Sequence, residues 1–235
     1  MEIIILIETS ASLCSVALSD GGKVIAYRES TEPRSHASLT AVFVDELLRE
    51  NGLQPRDCAA VCVSEGPGSY TGLRVGVSTA KGLCFGSGLP LLAVGTPEIL
   101  FRQAIGSIPQ KGSPEPDGWK YIVPLTDARR MEVYTATFSP DGKQLTETAP
   151  MIIDADSFAG MLEEGPVLFV GDAADKCRTV LTHPNAHFMQ CSPEARAMAV
   201  PASIRYKEKR FEDVAYFEPF YLKEFTVTTE KKKLF

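Results

Sequence analysis

The first hundred residues alternate short apolar runs with segments of helical periodicity, and this order limits the folds that the chain can adopt. The run IIILI is followed by CSVALSDGGKVIAYRES, which predicts a hairpin around Asp20-Gly21-Gly22. Apolar residues recur at helical spacing from Ser38 to Glu50, and Asn51-Gly52 predicts a left-handed cap. With AAVCV, a helix from about Ser69 to Cys84, and LPLLAV, the order is β-β-β-α-β-α-β. This order favours parallel pairing of the strands that flank helices.

A stretch rich in Gly, Pro and Ser, GSIPQKGSPEPDGW, divides the chain. We predict an N-terminal α/β lobe of order β-β-β-α-β-α-β-α over 1–105, a linker over 106–120, and a smaller C-terminal α/β lobe over 121–235. In the second lobe YIVPLT and EVYTATF predict a hairpin, and MIID and VLFV predict further strands. Helices are predicted near 156–162, 173–181 and 193–206, the last of them interrupted at Pro201.

Composition and charge exclude several classes of protein. No apolar run approaches the roughly 18 to 20 residues that span a bilayer, and Glu2 is acidic where a signal peptide would be basic. We therefore expect a cytoplasmic protein. With a net charge of −6 and a pI of about 5.2, the chain lacks the basic surface of a protein that binds a nucleic-acid backbone alone. Six scattered cysteines predict reduced, mostly buried thiols.

Six glycines fall within SEGPGSYTGLRVGVSTAKGLCFG, residues 64–86, directly after an apolar run. GPGSYTG is one residue longer than the dinucleotide fingerprint, and a P-loop would need Gly-Lys-Ser/Thr where this chain has Gly72-Leu73-Arg74. A nucleophile elbow needs glycine two residues on either side of the serine, and Ser69 has proline and threonine there. Ser69 is therefore predicted to cap a helix.

Small residues recur every four positions along that helix. Each interior glycine costs about 1 kcal/mol relative to alanine, so a close backbone contact must offset the loss. Two explanations stay open, packing on the protein's own sheet or on a partner's helix. The helix from Ser38 to Glu50 favours a partner, because its apolar arc of about 200° exceeds that of a helix covered on one side. We predict a partner interface of Leu39, Phe43, Leu47, Gly68, Ser69, Tyr70, Gly72, Leu73, Gly76 and Ala80.

Four segments, ILIETSASLCSVAL, GPGSYTGLRVGVSTAKGL, TDARRMEVY and PFYLK, resemble the TsaB family of tRNA threonylcarbamoyladenosine biosynthesis proteins across nearly the whole chain. The resemblance implies a two-lobed actin-like or sugar-kinase-like ATPase fold with ribonuclease-H-like lobes, the second truncated. It implies a non-catalytic scaffold or activator for threonylcarbamoylation of N6 of the adenosine next to the anticodon. The implied partners are a TsaD-like catalytic protein, in a heterodimer, and a TsaE-like ATPase. Contact with tRNA would be indirect, and the chain alone could form a homodimer.

The resemblance also implies that catalysis is lost. Catalytic relatives carry an H-x-x-x-H metal pair where this chain has Thr96 and Leu100, so no metal is expected. Their first strand ends in E-T-S followed by further acids, and here those acids are absent. The remaining loop, which is expected to be vestigial and to bind no cofactor, consists of Glu8, Thr9 and Ser10.

Lesser signals and two rival functions complete the sequence reading. Asp127, Arg129 and Arg130 occupy a predicted hairpin turn, and we interpret them as solvated charges first and as a secondary partner contact second. Lys231–Lys233 predict a mobile basic tail. One rival function is an independent ATP-dependent transferase or kinase of the same fold. The other, a glycoprotease-type metalloprotease, lacks the expected H-E-x-x-H and H-x-x-x-H pairs.

Overall fold

Two five-stranded sheets form the framework of the computed structural model, which describes residues 1–106 and 118–223. The first sheet has the order β3-β2-β1-β4-β5. Its strands are β1 Ile3–Glu8, β2 Cys14–Asp20, β3 Lys23–Ser30, β4 Ala60–Gly66 and β5 Leu91–Gly95. The second has the order β10-β9-β6-β7-β8. Its strands are β6 Tyr121–Asp127, β7 Glu132–Thr135, β8 Ala149–Ile152, β9 Val167–Gly171 and β10 Ala186–Gln190.

The two sheets repeat one arrangement. In each, the first strand is central, an antiparallel hairpin lies on one side, and two parallel strands lie on the other. A tight turn joins β2 to β3, where Gly21 and Gly22 both have positive φ. The parallel strands follow helical crossovers, as the sequence predicted. Because the arrangement repeats, Glu8 at the end of β1 and Asp127 at the end of β6 occupy equivalent places.

Six α-helices and two short 3-10 helices connect these strands within the described ranges. The helices are α1 His36–Glu50, α2 Tyr70–Ser87, α3 Thr96–Ile105, α4 Ala159–Glu164, α5 Ala174–Arg178 and α6 Ala199–Lys207, and the 3-10 helices are Pro55–Asp57 and Ala195–Met198. The predicted order of the first lobe is confirmed. The predicted left-handed residue after α1 is Gly52, with φ 66°. Helix α2 ends at Ser87, three residues later than predicted, and Gly88, with φ 71°, is its left-handed cap.

The chain after β10 returns to the first sheet, which corrects the predicted boundary of the second lobe. Helices α1 and α2 cover one face of the first sheet, and Ala195, Met198 and Ala202 pack on the other face with Ile4 and Leu6. Periodicity predicts that a segment near 193–206 is helical, but it does not say which sheet the helix covers. The interruption also falls earlier than the predicted proline, at the change from 3-10 helix to α6.

Helix α3 belongs to the cores of both lobes. Its Ile99 packs with the first sheet, whereas Leu100 and Phe101 pack with Trp119 and Phe138 of the second. Most of the predicted linker, residues 107–117, and the predicted basic tail, Lys231–Lys233, lie outside the described residues. The joint between the lobes that the structure does describe is therefore a shared helix with apolar contacts on both sides.

The cysteines are reduced as predicted, and one strand was not predicted. All six cysteines are free thiols; five are buried and Cys191 is partly buried. Strand β10 was missed, because AHFMQ is short and its side chains are only partly buried. Across residues 1–106 and 118–223, no helix has the length and apolar character needed to cross a membrane.

Candidate functional site

The loop that follows β1 is closed by the beginning of α2. The side chains of Glu8, Thr9 and Ser10 are all buried. The Ser69 backbone N–H donates to the Ser10 carbonyl at 2.6 Å, and the Thr9 hydroxyl donates to the Gly72 carbonyl at 2.8 Å. The Ser10 carbonyl and the Thr9 hydroxyl are thus bonded by the segment that carries the glycine stripe, whereas Glu8 Oε2 and the Ser10 hydroxyl have no hydrogen-bond partner.

The glycine stripe faces this loop, which corrects its predicted role as a partner surface. A Cβ atom on Gly68 would lie 2.3 Å from the Ser10 carbonyl oxygen, and one on Gly72 would lie 2.0 Å from the Thr9 carbonyl oxygen. A Cβ on Gly76 would lie 2.3 Å from the Thr9 hydroxyl oxygen. The glycines therefore allow α2 to approach the chain's own first strand, which is the other explanation that the spacing left open.

The remaining predicted interface residues on α1 and α2 are also turned inward. Leu47 and Ala80 have no exposed surface, and Leu73 is buried. Phe43 lies in the same core, and Leu39 packs against it from its edge. The wide apolar arc of α1 is covered twice, as expected, but its covers are β2 and α2 of the same chain. Four of these five side chains are therefore buried in the chain's own core, and Leu39 is partly buried.

Ser69 and Tyr70 lie at the start of α2, as its N-cap and its first residue. The Ser69 hydroxyl accepts the Gly72 backbone N–H at 3.3 Å, so the predicted helix cap is confirmed. The ring of Tyr70 packs on that of Tyr221 at a centroid distance of 4.9 Å. The predicted contact at Tyr70 is therefore partly taken by the chain's own C-terminal segment.

The surface that α2 does present to solvent was missed by the sequence reading. Phe85 is 89% exposed, and Gly82 and Gly86 would have open space around an added Cβ. Together with the exposed Ser78 they form the outer face of α2. A signal was available, because Ser78, Gly82 and Gly86 also recur every four residues. Periodicity gives the spacing of a stripe, but not which of two stripes faces the sheet.

Glu8 is the most perturbed acid at the end of β1. Burial raises the pKa of its carboxyl from 4.5 to about 7, against the lowering effect of hydrogen bonds from Ser10. Its Oε1 accepts the Ser10 backbone N–H at 2.5 Å, and its Oε2 has no hydrogen-bond partner. Desolvation also raises the pKa of Asp172, on the second lobe, to about 6. Burial thus raises the pKa of two acids, and the charge of Asp172 contributes to the raised pKa of Glu8.

Within the part of the chain that the structure describes, no group of metal-ligating side chains accompanies these two acids. Within residues 1–106 and 118–223, no three His, Cys, Asp or Glu side chains are grouped so as to hold a metal ion. His36 contacts the Ala11 carbonyl at 3.0 Å, His183 accepts a backbone N–H, and His187 packs edge-on against Trp119. The histidines are therefore engaged elsewhere.

Asp127, Arg129 and Arg130 form the predicted turn, between β6 and β7. The Asp127 carboxylate accepts the Arg129 backbone N–H at 2.8 Å and pairs with Lys176 at 2.5 Å. Arg129 and Arg130 both have positive φ, 72° and 50°, which is uncommon for two successive residues other than glycine. Both side chains are exposed, as expected of solvated charges.

Comparison with known proteins agrees with this architecture. Residues 30–229 match the family model for TsaD, tRNA N6-adenosine threonylcarbamoyltransferase. The chain is 35% identical over 138 residues to the tRNA threonylcarbamoyladenosine biosynthesis protein TsaB of Escherichia coli K12, covering 59% of this chain and 55% of that protein. It is 29% identical over 225 residues to TsaB of Bacillus subtilis 168, covering 94% and 93%.

The fold has a similar solved structure. YeaZ from Pseudomonas aeruginosa superposes with a TM-score of 0.80 at 23% identity, over 94% of this chain and all of that one. The predicted fold, two ribonuclease-H-like lobes of the actin-like ATPase type, is confirmed.

Proposed function

Because the chain belongs to the TsaD family, as a member of TsaB type, we propose that it is a non-catalytic subunit required for threonylcarbamoylation of tRNA. In this proposal it binds a TsaD-like catalytic protein, which transfers the threonylcarbamoyl group to N6 of the adenosine beside the anticodon. A TsaE-like ATPase is the third component. The chain itself acts as an activating platform and contacts tRNA only through this assembly.

One observation carries the non-catalytic part of the proposal, the closed loop after β1. An ATPase of this fold needs backbone groups that a phosphate can approach at the end of its first strand. Here Thr9 and Ser10 are buried, and their carbonyl oxygens lie against Gly72 of α2 and Gly68 just before it. The adjacent Glu8 carboxylate would repel a phosphate once ionised. The loop therefore supports packing rather than phosphate binding.

The direct test is reconstitution with purified components. We expect labelled threonylcarbamoyl transfer to tRNA when this chain, a TsaD-like protein and a TsaE-like ATPase are combined with substrate. Omitting this chain should abolish transfer, and the chain alone should transfer nothing. Transfer by the isolated chain would make it an enzyme and would overturn the proposal.

The rival functions predict different results with the isolated chain. An independent ATP-dependent transferase or kinase would bind ATP at micromolar concentration and turn it over. A glycoprotease-type metalloprotease would carry a stoichiometric metal whose removal stops proteolysis. We expect neither ATP turnover nor a stoichiometric metal, measured by nucleotide hydrolysis and by elemental analysis of the purified protein.

The outer face of α2 is the surface that we assign to the TsaD-like partner, in place of the buried stripe. Phe85 is 89% exposed, and Val42 of the neighbouring helix α1 is 44% exposed. Gly82 and Gly86 flank Phe85 without a neighbouring atom within 4 Å of an added Cβ, so a partner helix could approach this face closely. Exposed aromatic anchors of this kind carry much of the binding energy of protein interfaces.

Phe85→Ser is expected to weaken binding to the TsaD-like partner by at least about tenfold, because removing an aromatic anchor costs about 2 kcal/mol or more. Its melting temperature should stay unchanged within error, since an exposed side chain contributes little to folding. Calorimetric titration measures the first quantity and thermal unfolding the second. The matched control is Ile152→Ser, at a residue 72% exposed on the second lobe. Full binding by Phe85→Ser would move the interface away from α2.

A further inference from the structure

A cavity of about 650 Å³ lies among residues that have no part in the loop Glu8–Ser10. Its walls are the end of α3, the hairpin of β2 and β3, and the chain from Met189 to Val200. Cavities of roughly 300 to 1,000 Å³ are the size that holds small molecules in proteins. This one is built from both lobes, since α3 packs on both sheets and Met189 belongs to β10.

The cavity wall is partly apolar, and the amide side chains that line it already have hydrogen-bond partners within the chain. The apolar lining includes Leu13, Val24, Met189 and Val200. The Gln190 amide nitrogen donates to the Asp172 carbonyl at 2.9 Å, and its oxygen accepts the Asp175 backbone N–H at 2.8 Å. Gln103 is held in the same way, between the Ser192 carbonyl and the Glu194 backbone N–H. These two amides therefore hold the backbone segments of the cavity wall in place.

The two arginines of the cavity wall, unlike its amides, have side-chain nitrogens without a hydrogen-bond partner. Among the described residues, eight buried side-chain nitrogen or oxygen atoms have no hydrogen-bond partner, and only two of them are nitrogens. Both nitrogens are arginine Nε atoms, of Arg102 and Arg196, and both arginines line this one cavity. A buried donor without an acceptor is costly, so each such atom in a native structure needs an explanation, and an acceptor from outside the chain is one.

The charged side chains that line the cavity carry more positive than negative charge. Arg196 is paired with Glu194 at 2.6 Å, and its guanidinium lies 4.3 Å from the ring centroid of Tyr27. Arg102 lies over the Phe101 ring at 5.8 Å and has no carboxylate partner within residues 1–106 and 118–223. Burial raises the pKa of the Cys191 thiol to about 12, so this wall residue adds no negative charge at neutral pH. The cavity therefore carries one uncompensated positive charge.

We propose that this cavity binds a small organic anion, a carboxylate or phosphate on an apolar body, with Arg102 as the residue that holds the charged group. A guanidinium offers paired donors that match either group, and the apolar walls bury the rest of the molecule. Arg196 supplies a second donor while Glu194 and Tyr27 fix its position. The site is separate from the α2 surface, and the proposal does not depend on the proposed function.

The test is calorimetric titration of the full chain with two matched pairs of probes. Adenosine 5′-monophosphate against adenosine tests a phosphate, and hexanoate against hexan-1-ol tests a carboxylate. We expect at least one anion to bind with a Kd below about 1 mM, and its neutral counterpart to bind at least about tenfold more weakly. Arg102→Gln should weaken that anion at least tenfold, whereas Arg56→Gln, at an exposed arginine of a 3-10 helix, should not.

A second variant keeps the test decisive if Arg102→Gln fails to fold. Ala197→Phe places a ring in the cavity and leaves both arginines in place, so it should also abolish binding. Thermal unfolding of each variant confirms that it is folded before titration. The proposal is overturned if neither anion binds below about 1 mM, or if an anion binds Arg102→Gln and Ala197→Phe as tightly as the parent chain.

Discussion

Gly72→Ala is expected to destabilise the chain by about 3 kcal/mol or more, a large share of the 5–15 kcal/mol that holds a typical domain folded. The added Cβ would lie 2.0 Å from the Thr9 carbonyl oxygen and 3.2 Å from its carbon. Both are backbone atoms at the end of a central strand, so neither can rotate away. Helix α2 would have to move off the sheet. Denaturant unfolding of the variant beside the parent measures the loss.

Gly82→Ala is the matched control, because it lies in the same helix and has no atom within 4 Å of the added Cβ. There the change removes only the conformational cost of glycine, so we expect a gain of about 0.5–1 kcal/mol. The two substitutions should therefore have opposite signs. By the same argument Gly76→Phe should unfold the protein rather than block a partner selectively. A stable, well-folded Gly72→Ala variant would mean that the stripe does not pack on the first loop.

Glu8→Gln is expected to stabilise the protein at alkaline pH and to have little effect in acid. The folded-state pKa of Glu8 is raised by burial from 4.5 to about 7, so the folded chain binds more protons than the unfolded chain between these values. The native Glu8 therefore lowers stability as pH rises from about 4.5 to 7, and its cost is complete above 7. At pH 8 the gain from glutamine should approach about 3 kcal/mol, falling to below about 1 kcal/mol at pH 5.

The measurement is the free energy of unfolding of both proteins from pH 5 to pH 8. Asp172 titrates in the same range, but it is present in both proteins, so the difference between them reports mainly on Glu8. Glu163→Gln, at an exposed acid of α4, serves as the control and should give no pH-dependent difference. If the two curves stay parallel across this range, the Glu8 carboxyl is not desolvated as its burial indicates.

The elements of the first lobe could be predicted because each carries its own local signal. The hairpin turn has two glycines with positive φ, and the Ser69 hydroxyl caps α2 as its position before the helix suggests. The return of α6 to the first sheet could not be predicted in this way. The alternating faces of a strand show that both sides of the sheet are apolar, but not which later segment covers each side.

The predicted partner interface was wrong for a related reason. The spacing of Gly72 and Gly76 correctly indicated a close backbone contact, and only the partner in that contact was wrong. The spacing of residues along a helix does not show in which direction a stripe points. Phe85 was not predicted to be exposed, because a single aromatic residue forms no periodic pattern. The arginines of the cavity lie far apart in sequence, at positions 102 and 196, and only the tertiary fold places them in one wall.

The return of the chain to its first sheet has a consequence for the order of folding. Ile4 and Leu6 lie in the first strand, yet the side chains that cover their face, Ala195, Met198 and Ala202, are made almost two hundred residues later. During synthesis, the part of this apolar face that Ile99 of α3 does not cover stays exposed while the whole second lobe is made. Contacts this distant in sequence slow folding, because a long loop must close before they form. Exposed apolar surface of this kind makes the nascent first lobe prone to aggregation until its last helix has been made.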